Sequence, residues 1–229
     1  MFFDPLYMIL AIPGLILAMI AQAMTKSTFS KYAKYGASSG LTGAQAAQRM
    51  LQSQGIMNVD IEPVRGFLSD HFDPRTNTLR LSPDVYNSQS LSAIGVACHE
   101  AGHALQKATH YAPLGLRTAL VPAAQFGSSF AYIIFIAGFF LRMSMLVNLG
   151  LLLFTAAVAF TLITLPVEWN ASSRAKKLMV SAGIVSPQEK QHAGTVLNAA
   201  FMTYIASAVS ALLTLLYFLL RAGVLGGDD

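Results

Sequence analysis

The sequence predicts a mainly α-helical membrane protein of about four transmembrane helices, with a water-facing domain that contains a small antiparallel β-sheet. Three observations predict it. Of the 229 residues, 54% are hydrophobic and only 11% charged, whereas soluble domains carry about 25% charged residues. Four apolar runs, at residues 6–24, 119–141, 144–166 and 199–220, each approach the ~20 residues a bilayer-crossing helix needs. Between the first two lies a hydrophilic stretch with strand-like alternation and then a helix too interrupted by polar residues to span.

The first run ends in Ala21-Gln22-Ala23, which has the form of a signal-peptidase site. A secretory signal, however, has positive residues before its apolar core. Here Met1-Phe2-Phe3-Asp4-Pro5 precede the core, and Lys26, Lys31 and Lys34 follow it. Residues 1–24 are therefore read as an uncleaved anchor with its amino terminus outside.

Residues 25–118 form the larger hydrophilic segment. Its Ser- and Gly-rich start, 34–43, reads as a linker. Thr42-Gly43-Ala44-Gln45 then fits a capping box, and Ala46, Ala47, Met50 and Leu51 make the apolar face of a short helix that stops at Gly55. Residues 59–64 alternate like a strand, and 67–72 and 78–81 are two further extended runs around the turn-rich Asp73-Pro74-Arg75-Thr76-Asn77. Ser82-Pro83-Asp84 reads as an N-cap followed by proline at the first helical position. A helix from about Ser88 or Ser90 to Lys107 comes next, closed by Gln106 and Lys107.

Residues 119–166 hold the second and third runs, which only Arg142 separates. One unbroken helix there would be longer than a bilayer accommodates by tilting, so a tight transmembrane hairpin is expected. Residues 167–198 form a second hydrophilic segment: a helix beginning at Glu168 and stopping at Gly183, then Ser186-Pro187 opening the helix that leads into the last run. Residues 199–229 are the fourth span and tail. Small residues such as Gly127, Ser128 and Ala131, or Ala206 and Ser210, would allow helix contacts within a chain or between copies in an oligomer.

Lys and Arg number nine in segment 25–118 and four in segment 167–198, against Arg142 and Arg221 on the other side. The positive-inside rule places both hydrophilic segments in the cytoplasm and both termini outside. The net charge of +4 is what such a topology signal looks like. No stripe of basic residues interleaved with aromatics points to nucleic acid. The single Cys98 excludes an internal disulfide and suits a reducing compartment. It is read as a small core residue, because side chains at i and i+1 point about 100° apart on a helix, away from the adjacent histidine.

The chemistry lies in His99-Glu100-Ala101-Gly102-His103. Two histidines four apart project from one helix face and can grip a single Zn²⁺, while the glutamate beside the first can act on a metal-activated water. The pattern points to metal-assisted hydrolysis of peptide bonds at the cytoplasmic membrane face. A catalytic zinc takes a third protein ligand. The H-E-x-x-H-x-x-G-x-x-H continuation is absent, since Gln106 and Thr109 stand where it needs glycine and histidine. Of the two later glutamates, Glu168 is favoured over Glu189, and over His192 and His110. It follows an apolar run, where an acid is costly unless paired or metal-bound, and Ala171 and Ala175 let its helix pack closely on the motif helix.

The blocks Leu68-Ser69-Asp70-His71-Phe72-Asp73-Pro74, Leu79-Arg80-Leu81-Ser82-Pro83, His99-Glu100-Ala101-Gly102-His103-Ala104 and Pro166-Val167-Glu168-Trp169-Asn170-Ala171-Ser172 resemble the YugP-type membrane zinc-dependent peptidases of bacteria. The resemblance covers essentially the whole chain. More distantly, the order of elements is similar to HtpX-type quality-control proteases and CAAX prenyl proteases. It implies a gluzincin-like zinc-peptidase domain with one Zn²⁺ held by His99, His103 and Glu168, and with Glu100 as general base and acid. Two positions depart from the YugP-type pattern, which usually has tyrosine at Phe72 and aspartate at Asn170. The first removes a phenol that could donate to the transition state, and the second removes a charged partner for a ligand.

The backbone of Leu79 and Leu81, on an edge strand Thr78–Leu81, would pair with an extended peptide. His71, Arg174, Tyr86 and Tyr204 are candidates for stabilising the oxyanion. The expected partners are the lipid bilayer and a peptide or membrane-protein substrate. A catalytically inactive metal-binding scaffold or regulatory protein is the alternative, but structural zinc sites are mostly closed by four Cys and His ligands, and this chain has one Cys and an intact Glu100. A transporter is disfavoured by the near absence of ionisable residues in the spans.

Overall fold

The computed structural model describes residues 4–66 and 69–224. Phe67 and Leu68 of the expected 67–72 strand, the first three residues of the anchor and the tail beyond Val224 lie outside the described residues. The order of elements is α1 (Pro5–Tyr32), α2 (Gly43–Gln52), β1 (Asp60–Pro63), β2 (His71–Asp73), β3 (Thr78–Leu81), α3 (Pro83–Tyr86), α4 (Leu91–Ala108), α5 (Ala112–Phe140), α6 (Ser144–Ser181) and α7 (Pro187–Arg221). These fall into two compact units. One is built from residues up to 21, 115–166 and 203 onward, the other from 22–114 and 167–202.

The first unit is apolar helix on apolar helix. Among the described residues, α1, α6 and α7 are each long and apolar enough to cross a membrane, and α5 passes the same test as a pair of segments bent by 41°. The turn between α5 and α6 is as short as expected, with Arg142 at φ 54°. The two helices approach so closely there that a Cβ on Gly150 would lie 2.7 Å from the Phe135 backbone nitrogen, the contact that small residues permit where lipid offers no competing hydrophobic drive. Phe135, Tyr217 and Phe218 form this unit's core, with the Phe135 and Phe218 rings stacked at 4.2 Å. The Tyr217 hydroxyl donates to the Asp4 carboxylate at 2.9 Å, and Arg221 pairs with the same group.

In the second unit, α2 opens with the expected capping box: the Thr42 hydroxyl accepts from the Gln45 N–H while the Gln45 side chain accepts from the Thr42 N–H. Its face of Ala46, Ala47, Met50 and Leu51 is buried in a core that includes Leu79, Leu81, Ile94, Ala97, Cys98 and Met179. Helix α4 starts where its sequence says, with the Ser90 side chain capping the Ala93 N–H at 3.2 Å.

Three expectations are corrected. The sheet is mixed rather than antiparallel: β1 runs parallel to β3 and β2 antiparallel to it, in the order β1-β3-β2. Thr78–Leu81 is therefore the central strand, not an edge. Both backbone edges of β3 are already paired and Leu79 and Leu81 are fully buried, so these residues offer no edge for strand addition. The physical reason lies in Arg80, whose guanidinium reaches Asp73 of β2 at 3.1 Å and Glu62 of β1 at 3.6 Å. The cation is flanked by a carboxylate from each neighbour. Nor does a helix begin at Glu168: α6 runs without a break from the third apolar run through Pro166 to Ser181, and Gly183, at φ 65°, follows it.

Candidate metal centre

All groups of this centre belong to the second unit. Helix α4 presents His99 and His103 one turn apart, with ring centroids 4.8 Å from each other. Helix α6 presents Glu168 to the same point. Its buried carboxylate lies 3.1 Å from His99 Nε2 and 3.5 Å from His103 Nε2. One ligand atom from each of the three residues falls within 4.8 Å of the others, the arrangement that could hold a metal ion.

The hydrogen bonds around the histidines favour a cation at that point. Gln106 donates through Nε2 to the Val167 carbonyl at 2.8 Å and to Asn170 Oδ1 at 3.0 Å, so its Oε1 is the acceptor that faces His103 Nδ1 at 2.9 Å. His103 must donate from Nδ1, and in the neutral ring its Nε2 lone pair then faces a carboxylate oxygen. Two acceptors so placed in a buried site need a proton or a metal ion between them, and an N, N, O donor set suits zinc. Burial opposes charge on His103, but the hydrogen bond and charge of Glu168 outweigh it and raise its pKa. Burial likewise works against the Glu168 anion, and the two imidazoles outweigh it and hold the carboxyl well below its ordinary range. The Ser172 hydroxyl meets His99 Nδ1 at 3.0 Å, one helical turn beyond Glu168.

Glu100 is half-buried beside this group, and its carboxylate accepts the Phe72 N–H of β2 at 3.1 Å. Burial raises the Glu100 pKa, opposed by His99 and His103 and reinforced by Glu168 and Asp70. Asp70 in turn accepts from the N–H of Ser82 at 2.7 Å and from its hydroxyl at 3.1 Å, tying the entry of β2 to the exit of β3. Lys107 fixes the other end of the sheet on α4, donating to the Pro74 carbonyl at 2.6 Å and to Asn77 at 3.1 Å.

Helices α4 and α6 can bring these groups together because Gly102 has no side chain. A Cβ there would lie 2.7 Å from the Ala171 carbonyl oxygen, and backbone cannot yield as a flexible side chain does. Gly102→Ala is expected to destabilise the protein by about 1–3 kcal/mol and to weaken metal binding, because the displaced helix carries Glu168. Melting curves and metal analysis of the purified variant check both parts.

Other sequence candidates lie elsewhere. Glu189 is bound to Ser38 and Ser186, His192 stacks on Tyr32 at 5.0 Å, and His110 is exposed at φ 51°; none belongs to the group formed by His99, His103 and Glu168. His71 is exposed, its Nδ1–H donating to the Ser69 carbonyl at 2.8 Å. Tyr86 packs on the unit's core, and Tyr204 is half-buried in the other unit. Arg174 donates to Asn170 Oδ1 at 2.8 Å and to the Thr109 hydroxyl at 2.9 Å, so its guanidinium ties α6 to the end of α4. Asn170 thereby joins Gln106 to Arg174, a position that an uncharged amide oxygen fills.

Cys98 is fully buried in the apolar core of the second unit, and burial pushes its thiol up to about 12. The folded protein is expected to resist iodoacetamide at mildly alkaline pH and to be alkylated only after unfolding, which mass spectrometry of the two samples tests. Rapid labelling of the native chain would contradict the burial.

Gln106 and Ser172 were not legible as histidine partners. Gln106 reads as a polar residue closing a helix, and only its spacing of three from His103 hints that the two share a face.

Comparison with known proteins supports the same chemistry. A family described as "Putative neutral zinc metallopeptidase" matches residues 7–223. A relative from Bacillus subtilis (strain 168), named "Putative membrane protease YugP", is 48% identical over 215 residues, covering 94% of this chain and 96% of the relative. No solved structure matches the chain.

Proposed function

Because the chain belongs to the neutral zinc metallopeptidase family, whose name implies zinc, we propose that it is a membrane-embedded zinc metalloendopeptidase with one zinc ion held by His99, His103 and Glu168. The observation that carries this reading is the convergence of those three donors beside Glu100. Zinc bound there would supply a Lewis acid that polarises the scissile carbonyl and brings the pKa of water towards about 7. Glu100 takes the proton from the attacking water and returns it to the leaving amine. The raised pKa of the Glu100 carboxyl makes its anion a stronger base for the first of these transfers. The Phe72 N–H holds one carboxylate oxygen in place, which leaves the other for water.

The strand next to the site with an open edge is β2, not β3. Phe72 turns its N–H away from β3 towards Glu100, so by the alternation of strand geometry its carbonyl points to the same open side. An extended peptide added along β2 would lie across the metal centre, with specificity that rests on backbone more than on side chains.

The chain is read as four spans, with α5 as the bent one, both termini outside and the metal centre on the cytoplasmic side of a bacterial inner membrane. The excess of Lys and Arg in the hydrophilic segments supports that orientation. So does the gathering of those two segments into one compact unit, because an even number of passes returns the chain to the side it left. The boundaries proposed are an anchor at 1–24, a hairpin at 119–166 and a last span from 199, separated by cytoplasmic segments 25–118 and 167–198. Substrates would be cytoplasmic peptides or segments of membrane proteins, as in quality control.

The test is metal analysis of the detergent-purified full chain together with cleavage of unfolded casein. One zinc per chain and chelator-sensitive cleavage are expected; a preparation that binds no zinc would refute the reading.

A further inference from the structure

Outside the metal centre, the strongest unexplained feature is a cleft of about 500 Å³ in the second unit, lined by Ser173, Lys176, Lys177, Val180 and Ser181 of α6 and Lys190 of α7. Among the described residues no carboxylate lines it and no ion pair neutralises the three lysines. Lys176 donates to Asn198 at 3.1 Å, a neutral partner that leaves its charge uncompensated. Burial, and then the charge of Lys190, lower the Lys176 pKa, so two cations share one small space. Gly194 makes room for this: a Cβ there would come within 3.2 Å of the Lys176 side chain.

The same stripe of α6 also carries an apolar edge. Positions 169, 173, 176 and 180 recur at intervals of four, three and four residues, which keeps them on one face of a helix. Trp169 begins the stripe one turn after the apolar run ends at Pro166. The residue is 55% exposed, and its ring packs on Phe201 at 5.3 Å and lies 5.3 Å from Lys176 Nζ. A tryptophan at the end of an apolar run, followed by lysines whose side chains lean back towards the helix amino terminus, is the pattern of the headgroup layer.

We propose that this cleft binds the phosphate of an anionic lipid headgroup, with Lys176, Lys177 and Lys190 holding the charge, Ser173 and Ser181 donating to its oxygens, and Trp169 resting at the base of the headgroup. Free inorganic phosphate offers the same chemistry, but it would not use the exposed indole. The binding is separate from the metal centre and does not depend on peptidase activity.

Trp169 is the only tryptophan in the chain, so its fluorescence reports on this cleft. The full chain would be reconstituted in phosphatidylcholine vesicles carrying a small fraction of either dibrominated phosphatidylglycerol or dibrominated phosphatidylcholine. Brominated phosphatidylglycerol is expected to quench Trp169 at lower fractions, and Lys177→Gln or Lys190→Gln to reduce that preference roughly fivefold each. Lys177→Arg should retain it, and Lys34→Gln, which removes the same charge from another place, should leave it unchanged. Equal quenching by the two lipids would overturn the proposal, as would a loss in Lys34→Gln equal to that in Lys177→Gln, since general surface potential would then suffice. Disappearance of the preference in phosphate buffer, but not in chloride of equal ionic strength, would overturn the lipid as the ligand in favour of the free anion.

Discussion

Glu100→Gln is expected to retain zinc at the wild-type stoichiometry and to cleave unfolded casein about 10²–10⁴-fold more slowly than wild type. The amide keeps the shape of the side chain, and its carbonyl oxygen can still accept the Phe72 N–H that the carboxylate accepts at 3.1 Å. The fold around the residue is thus preserved while the ability to take a proton is lost. Because the three donors of the metal group do not include Glu100, metal content should be indifferent to the change, and that separates this variant from one that damages the site. The wild-type rate should also fall as pH drops through the Glu100 pKa, which burial raises above the ordinary 4.5; Glu100→Gln should lack that limb. Unchanged cleavage by Glu100→Gln would mean that another group moves the proton.

Glu168→Ala is expected to lose the metal, with affinity falling by more than the ~100-fold that removal of an outer partner costs, and to lose cleavage with it. The same change alters the protein after chelation. In chelated wild type the buried Glu168 carboxylate faces two imidazoles, with opposite consequences for their pH dependence. Glu168, whose folded pKa is lowered from 4.5, contributes stability that is present above 4.5 and is lost as pH falls through the lowered value. His103, whose folded pKa is raised from 6.5, contributes stability that is present below 6.5 and is lost as pH rises through the raised value. Chelated wild type should therefore be most stabilised by this pair between those ranges, in mildly acidic solution. Glu168→Ala should lose most of that maximum, because only the lesser contributions of the Glu100 charge and the Gln106 hydrogen bond then offset the cost of charging a buried His103. Denaturation of both proteins across pH reads this directly, and full zinc occupancy in Glu168→Ala would remove Glu168 from the ligand set.

Local features of the chain carried well into three dimensions where a local interaction sets them. Ser90 caps α4, Thr42 and Gln45 form their capping box, and Arg142 sits in the turn of the hairpin, because each depends on neighbours within four residues. The join at Pro166 did not. Proline discourages helix through its lost N–H and its clash with the preceding turn, yet α6 passes through it, so Glu168 lies inside a continuous helix instead of at a fresh start. Leu79 and Leu81 illustrate a different limit. Alternation identifies the buried face of a strand but reads alike for a central strand and an edge, and the pairing of Arg80 with carboxylates on both sides is a contact between distant segments.

What the sequence determined by itself is the chemistry and the solvent. The spacing of His99 and His103 places two imidazoles on one helix face by helical geometry alone, Glu100 lies beside them by covalent adjacency, and runs of apolar residues near the length of a bilayer crossing call for a membrane whatever the fold. Only the tertiary structure decided how those groups are aimed. The burial of Gln106, the reach of Ser172 to His99, the Phe72 N–H on Glu100 and the approach of α6 to α4 across Gly102 join residues far apart in the chain. No local periodicity encodes such contacts, since they exist only once the core has brought the elements together.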